Sequence, residues 1–350
     1  MSVPGWLQQR LAAAGGAVPF STYMDWVLHD PRHGAYGSGR LRIGPGGDFA
    51  TAPSLGPDFA ALLAPQLADW LTALLPSGAG GQPDGRLALV EAGPGEGSLA
   101  ADLANALAAG WPGLAQRCEL VLVEPNPGMA ARQRRRLADC GLPCRWSSFA
   151  RLAAAPVRGV LLAHEVLDAL PVERITWDGA RWRRQQVVLA GGPDAEPALL
   201  LEPGAPLEAA SLSAGAVRRQ LAADPQRPPG WSTELHPGVG PWLQSAAAAL
   251  RAGTLLVIDY ALEARRYYAP ARADGTLMAY RAQQAGADPL ARPGDCDLTA
   301  HLCIESLQEA AAAAGWQALG HCRQGQALLA LGLAERLHGL QRLQGLALAE

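Results

Sequence analysis

Lysine is missing altogether: all 29 basic residues are arginine. That excludes a Schiff-base or lysine-base mechanism, and also a phosphate loop ending in GK[ST]. Cysteine is scarce. Cys118, Cys140, Cys144, Cys296, Cys303 and Cys322 show no paired CxxC spacing, so neither a disulfide framework nor a structural zinc site is expected. The histidines are scattered, and no metal is expected. No apolar run approaches the ~18 residues of a membrane helix. The first twenty residues lack a basic segment followed by an apolar core, so no secretory leader is read and a cytoplasmic location is expected. Excess charge is absent too: 32 acids against 29 bases give a net charge of -3, which offers no general attraction to nucleic acid or anionic membrane. What is present is 49 % hydrophobic and 17 % charged sequence over 350 residues, enough for one large or two modest globular domains.

Residues 1–80 read as a helical cap broken by the glycine-rich stretch GAYGSGRLRIGPGGDFATAP. Apolar residues at helical spacing predict a helix from Pro57 to Leu75, and SGAGGQPDG at 77–85 reads as a linker. From 81 to 350 the chain reads as one α/β domain. RLALVEAG, CELVLVEPN and VRGVLLAHE are short buried strands; SLAADLANALAAG and PGMAARQRRRLADCG are helices, and a short helix is expected after the third strand. Strands alternating with helices imply a parallel, doubly wound sheet. An inserted β-rich segment is expected at about 171–230, with a hairpin turning at Asp178-Gly179 and irregular sequence after it. Helix and strand resume in GPWLQSAAAALRAGTLLVIDYA. The tail adds a helix in CIESLQEAAAAAGWQALG and a strand in QGQALLALGL. Arg132, Arg134, Arg135 and Arg136 read as the solvated face of a helix.

The stretch LALVEAGPGEGSLAADL carries the first chemical signal. Gly93, Gly95 and Gly97 let the backbone approach a ligand where a Cβ would collide, and the helix start beyond them offers unpaired N–H groups. The spacing is G-x-G-x-G, one residue short of the dinucleotide fingerprint. Glu91 precedes the turn and Glu96 lies inside it, so pyrophosphate is poorly hosted. S-adenosylmethionine has no phosphate and carries a sulfonium and an ammonium, and it suits an acid-rimmed turn better. Glu124 ends the next strand, 33 residues after Glu91. A carboxylate there can accept from both ribose hydroxyls, though NAD would use the same acid. Ser148 and its neighbours Trp146, Ser147 and Phe149 are candidates for the adenine border. A tight strand–helix connection with no ligand is the plain alternative.

In HEVLDALP, Glu165 and Asp168 are three apart and face the same way on a helical turn. Strand ends of an open α/β sheet are where ligands sit. From this point the chain resembles the MidA family of methyltransferases, nearly end to end. The resemblance rests on PFSTYMDWVLHDPRHGAYG, GDFATAP, LVEAGPGEGSLAADL, LVLVEPNPGMAARQRRRL, HEVLDALPV, TELHPGVGPWL, LLVIDYALEARRYYAPARADGTLMAY, GDCDLTAHL and QGQALLALGL. It implies a class I (Rossmann-like) methyltransferase fold and S-adenosyl-L-methionine as donor. It implies that Glu91, Gly93, Pro94, Gly95 and Gly97 line the donor, that Glu124 holds its ribose, and that Asp48 and Thr51 fold the N-terminal segment over it. Glu165 and Asp168 would face the acceptor. Mitochondrial members of that family are implicated in arginine dimethylation of a core complex I subunit and in assembly of that complex. A protein substrate, including a respiratory-complex subunit, is therefore the implied partner, and a homodimer stays open. The sequence departs from the family pattern at His164, Ser54, Ala261 and Cys303-Ile304.

An arginine acceptor needs help. Its guanidinium is charged, with a pKa of about 12.5–13.8, and one nitrogen must be aimed at the donor methyl. A carboxylate does this by accepting two N–H bonds and by stabilising the charge left on the other nitrogens. Glu165 is the first choice for that clamp and Asp168 the second. Glu234 reads as structural, and Asp259-Tyr260 as a rim of the pocket. The rivals are a non-catalytic assembly or binding protein that keeps the donor fold, a small-molecule methyltransferase, and an NAD-dependent enzyme.

Overall fold

The computed structural model describes residues 2–76, 85–191, 196–208, 215–222 and 227–347. The linker expected at 77–85 lies outside these except for Gly85. The chain opens with α1 (Gly5–Ala13), β1 (Ala17–Pro19), α2 (Phe20–His29) and, after a long loop, α3 (Asp58–Ala73). The alternating part follows: β2 (Leu87–Ala92), α4 (Ser98–Gly110), the short α5 (Pro112–Ala115), β3 (Cys118–Val123), α6 (Pro127–Arg136), β4 (Cys144–Ser147), α7 (Phe149–Ala154) and β5 (Val157–His164). Then come β6 (Glu173–Trp177), β7 (Trp182–Ala190), β8 (Ala198–Pro206), α8 (Gly215–Gln220) and β9 (Ser232–Leu235). The chain returns through α9 (Val239–Ala249) and β10 (Leu250–Ile258) to β11 (Ala261–Leu262), α10 (Ala264–Tyr267), β12 (Met278–Arg281), β13 (Gln284–Gly286), β14 (Asp297–Thr299) and β15 (Leu302–Cys303). It ends in α11 (Ile304–Ala313), α12 (Gln324–Ala330) and α13 (Leu333–Ala347).

The central sheet has the order β10-β5-β2-β3-β4, parallel throughout. All six residues of β2 are buried, because the strand is covered on both faces. That is why it reads as a continuous apolar run and not as an alternation. On one face Leu89, Leu120, Leu122 and Leu162 meet Leu63 and Leu67 of α3 and Leu99 and Leu103 of α4. On the other, Val90, Val121 and Leu161 meet Leu152 of α7 and Ala246 of α9. Each such leucine contributes roughly 1.5–3 kcal/mol by leaving water. The strand order reverses between β2 and β5, and the crevice outside their carboxyl ends is where such sheets take ligands.

A second, antiparallel sheet is built by β6–β9 together with β1: Val18 pairs with Val187 of β7. The Asp178-Gly179 hairpin closes at the Trp177–Trp182 pair. Its turn is held by Asp178 Oδ1, which accepts from the amides of Ala180 and Arg181 at 2.9 Å.

Three expectations are corrected. The stretch after the hairpin is not irregular throughout, for β8 pairs along β7 and α8 follows. QGQALLALGL is helical. Leu328 and Leu331, three apart, pack on the main core while Leu329 is 60 % exposed, a spacing that suits a helix and not a strand. No helix follows β5. Residues 165–171 form a turn whose cause lies in the site.

Candidate active site

β2 delivers Glu91 to the mouth of the sheet and runs into the glycine turn. Gly93, Gly95 and Gly97 have φ of 62°, 51° and 79°, the left-handed region that L side chains avoid. A Cβ on Gly95 would come within 2.9 Å of Ile43 Cδ1, so the N-terminal loop closes down on the turn. α4 starts at Ser98 with Gly97 as its N-cap and no side-chain cap, which leaves its first amides free for a ligand. Between turn and loop lies a cavity of about 600 Å³, a size that suits a nucleoside-bearing ligand.

Thr51, Glu91, Gly93, Pro94, Gly95, Glu124, Ser148 and Glu165 line that cavity, and Gly97, Asp48 and Asp168 do not. Gly97 closes the turn from behind, its amide bonded to the Pro94 carbonyl at 2.7 Å. Asp48 shapes the covering loop: its Oδ2 accepts from the Arg42 amide at 3.0 Å. Ser148 caps α7 by accepting from the Arg151 amide. Gln283, from the β12–β13 hairpin, tethers the same loop by donating to the carbonyls of Asp48, Gly44 and Gly47.

Glu124 is fixed on both oxygens. Oε1 accepts from the Asn126 amide at 2.7 Å and Oε2 from Gln133 Nε2 at 2.9 Å; burial pushes its pKa up. Gln133 is a site residue that the sequence did not disclose. Fully buried on α6, it also donates to the Gly95 carbonyl and accepts from Trp146 Nε1, joining turn, acid and β4. The solvated-face reading holds for Arg134, Arg135 and Arg136, which are exposed, and needs correction at Arg132. Arg132 is only 14 % exposed, pairs with Glu96 at 3.0 Å and reaches the Gly39 carbonyl at 2.7 Å. Arg134 lies over the Trp146 ring at 4.6 Å.

This chemistry fits the sulfonium donor. Glu91 Oε2 is buried with no hydrogen-bond partner, and burial alone pushes its pKa up to about 8. An unmet acid invites a cation. Among the described residues no arginine lines the cavity, so a pyrophosphate would find no counter-charge. Glu91, Glu124 and the glycine turn would hold the donor.

Beyond Glu165 the wall becomes acidic. Asp259, at the end of β10, gathers the turn after β5: its Oδ2 accepts from the amides of Val166 (3.3 Å), Leu167 (2.9 Å) and Asp168 (3.4 Å). The Glu165 amide donates to the Ile258 carbonyl at 2.8 Å. These bonds hold Glu165 at φ 50°, a conformation that a non-glycine residue adopts only under such constraint. They are the reason that the stretch is a turn.

Burial, reinforced by Asp259 and Asp297, pushes Glu165 up to about 7. The same causes, with Glu165 added, hold Asp168 well above the usual carboxylate range. Burial raises Asp297 to about 7 although Tyr36 hydrogen-bonds to it. Asp168 Oδ1 and Asp297 Oδ1 are buried without a partner. Half-exposed Tyr260 flanks this group, raised by burial and by Glu165 and Asp168. Glu234 stands apart from the cavity, accepting from the Thr276 amide at 2.9 Å and from the hydroxyls of Thr276 and Tyr267.

A family model described as "Putative S-adenosyl-L-methionine-dependent methyltransferase" matches residues 62–322. A Xenopus tropicalis protein named "Protein arginine methyltransferase NDUFAF7, mitochondrial" is 26 % identical over 348 residues, with 92 % of this chain and 74 % of the relative covered. The Drosophila melanogaster homolog of that name is 27 % identical over 359 residues, with coverage of 96 % and 73 %. A crystal structure of a Burkholderia thailandensis protein bound to S-adenosyl-homocysteine matches with a TM-score of 0.81 and 32 % identity, over 97 % of this chain and 86 % of that one. A native crystal structure from the same organism gives 0.77 and 30 %, over 97 % and 85 %.

Proposed function

The chain belongs to this family of S-adenosyl-L-methionine-dependent methyltransferases, and from that premise we propose that the methyl acceptor is an arginine side chain of a protein. The observation that carries this reading is the group of buried carboxyls beyond Glu165, of which Asp168 Oδ1 and Asp297 Oδ1 have no partner. Carboxyls crowded away from water are costly when charged unless a cation joins them. A guanidinium is a cation whose planar fork matches carboxylates. The relatives named as protein arginine methyltransferases support the same acceptor.

When bound, the donor supplies an electrophilic methyl on a sulfonium. Glu165, in the cavity wall, accepts two guanidinium N–H bonds and turns one nitrogen toward the donor pocket. Asp259 keeps that carboxylate in place through its three amide bonds. An arriving cation draws the pKa of Glu165 down and ionises it. The nitrogen that gains the methyl must lose a proton, and the carboxylate of Glu165, ionised by the bound cation, is placed to take it. Asp168 and Asp297, held protonated by burial and by neighbouring carboxyls, stand behind it as carboxyls that an arriving cation would help to ionise.

Fitting S-adenosyl-homocysteine release from an acceptor-containing cell extract tests the clamp. Glu165→Gln is expected to lower release by roughly 10²–10³-fold with donor affinity kept; equal release would remove Glu165 from the reaction. The MidA resemblance extends the proposal to a respiratory-complex subunit as acceptor, methylated in the cytoplasm. Mass spectrometry of that extract names the methylated protein.

A further inference from the structure

Tyr36 reaches the acceptor side from the N-terminal cap. It stands in HGAYG, between α2 and the covering loop, and lines the same cavity as Glu165. The glycines on either side let the chain fold tightly there. A Cβ on Gly34 would come within 2.6 Å of the Asp30 amide nitrogen, and one on Gly37 would collide with the Asp30 carbonyl. The backbone of Tyr36 is held at both ends. Its amide donates to the Leu28 carbonyl at 2.9 Å, and its carbonyl accepts from Asn126 Nδ2 at 3.0 Å. Asn126 in turn donates its own amide to Glu124. The His29 ring stacks along the phenol ring, 6.2 Å between centroids at 24°. A residue of the cap is thus fixed to the loop of the donor's ribose acid while it faces the acceptor wall.

The hydroxyl donates its hydrogen to Asp297, whose Oδ1 is buried without a partner. Burial, then the carboxyls of Asp297, Asp168 and Glu165, hold the phenol well above its usual pKa, so it stays neutral. A hydroxyl oxygen is an acceptor as well as a donor. With its hydrogen committed to Asp297, the Tyr36 oxygen keeps accepting capacity for a donor that enters the cavity. A guanidinium brings several N–H donors in a planar fork. Glu165 takes one edge of that fork. The neighbouring edge then has the Tyr36 oxygen in the same cavity wall to meet. A purely structural anchor for Asp297 is the plain alternative, and the two differ in what removing the hydroxyl does once Glu165 is disabled.

We propose that Tyr36 is a substrate-contacting residue: its hydroxyl oxygen accepts an N–H of the guanidinium that Glu165 holds, so the N-terminal cap completes the acceptor site. The inference rests on the arginine reading and adds a residue to it. A contact at a second edge stops the fork from turning about Glu165 and keeps one nitrogen aimed at the donor. Because Asn126 ties Tyr36 to the loop of Glu124, that contact also sets the acceptor in register with the donor.

The test is a double-mutant cycle of wild type, Tyr36→Phe, Glu165→Gln and the double variant. Initial rates of label transfer from methyl-labelled S-adenosyl-L-methionine into arginine are measured over a dilution series of one acceptor-containing extract. Tyr36→Phe keeps the ring, the His29 stack and both backbone bonds. It is expected to lower the rate per amount of extract by roughly tenfold or more. Its affinity for S-adenosyl-homocysteine, read by calorimetry, should stay within about twofold, which also reports an intact fold. In the Glu165→Gln background the same change is expected to cost less than about threefold, because two contacts to one guanidinium act as a unit. An anchor that serves only the fold costs the same in both backgrounds. Equal costs, or a wild-type rate from Tyr36→Phe, overturn the proposal and leave the arginine reading standing. A fall in S-adenosyl-homocysteine affinity that accounts for the whole fall in rate assigns Tyr36 to the donor and overturns it too. Label from wild type in another amino acid, with none in arginine, removes the arginine reading and this contact with it.

Discussion

Glu165 joins backbone constraint and electrostatics in one residue: φ is 50° and the carboxyl titrates at about 7 because it is buried beside Asp259 and Asp297. The free enzyme therefore holds much of Glu165 protonated below pH 7, a form that has lost one of its guanidinium-accepting oxygens. Methylation measured as kcat/KM should rise as pH increases through about 7 and level off above it. Glu165→Gln should abolish that rise along with most of the rate. A flat wild-type profile between pH 6 and 8 would show that Glu165 does not govern the step. Glu165 stands out in the sequence as an acid at the end of a buried strand, paired with Asp168 three residues on, and of the two the structure puts only Glu165 in the cavity wall. Gln133 could not be found the same way. A neutral amide on a helix full of arginines carries no signal, and its three bonds appear only when β2, β3 and β4 are assembled.

At the level of elements, the strands and helices of the central sheet were legible because burial on two faces leaves unbroken apolar runs, and glycine and proline punctuate them. The turn after β5 was not. Its apolar and acidic spacing suits a helix, and what prevents one is Asp259, more than ninety residues away in the chain. Contacts at such separation have no local signature. QGQALLALGL failed for a related reason, as a short apolar run is ambiguous until its partner face is known. Asp259→Ala removes the common acceptor of three amides. A buried amide left unpaired costs about 1–3 kcal/mol, so the variant should lose stability of that order. It should also lose methylation while still binding S-adenosyl-homocysteine. Chemical denaturation and calorimetry check both halves. Unimpaired methylation would deny Asp259 its positioning role.

Over the whole molecule, the parallel sheet presents the donor pocket. The N-terminal loop and the β12–β13 hairpin cover it, and an unpaired group of acids lies beyond. The sign of the stability dependence follows from that arrangement. Glu91, Glu165 and Asp297 have folded pKa values raised to about 8, about 7 and about 7, above those of the unfolded chain. Between the unfolded value near 4.5 and these folded values the native state holds more protons. Stability then falls as pH rises, by up to about 1.4 kcal/mol per pH unit for each group. His164 and His236, whose pKa values burial pushes down to about 4, act in the opposite sense up to about 6.5, so the decline is read above it: the ligand-free protein should have a higher Tm at about pH 6.5 than at about pH 8, and Glu91→Gln should make the decline shallower. A Tm that climbs over that interval would mean that these carboxyls are solvated or paired.

The central claim is that the carboxyls beyond the donor pocket receive a guanidinium. The most direct measurement is incubation of the enzyme and an acceptor-containing extract with methyl-labelled S-adenosyl-L-methionine, followed by total hydrolysis and amino-acid analysis. The label should elute as methylated arginine and vanish with Glu165→Gln. Label recovered in another amino acid or in a small molecule, with none in arginine, would contradict it.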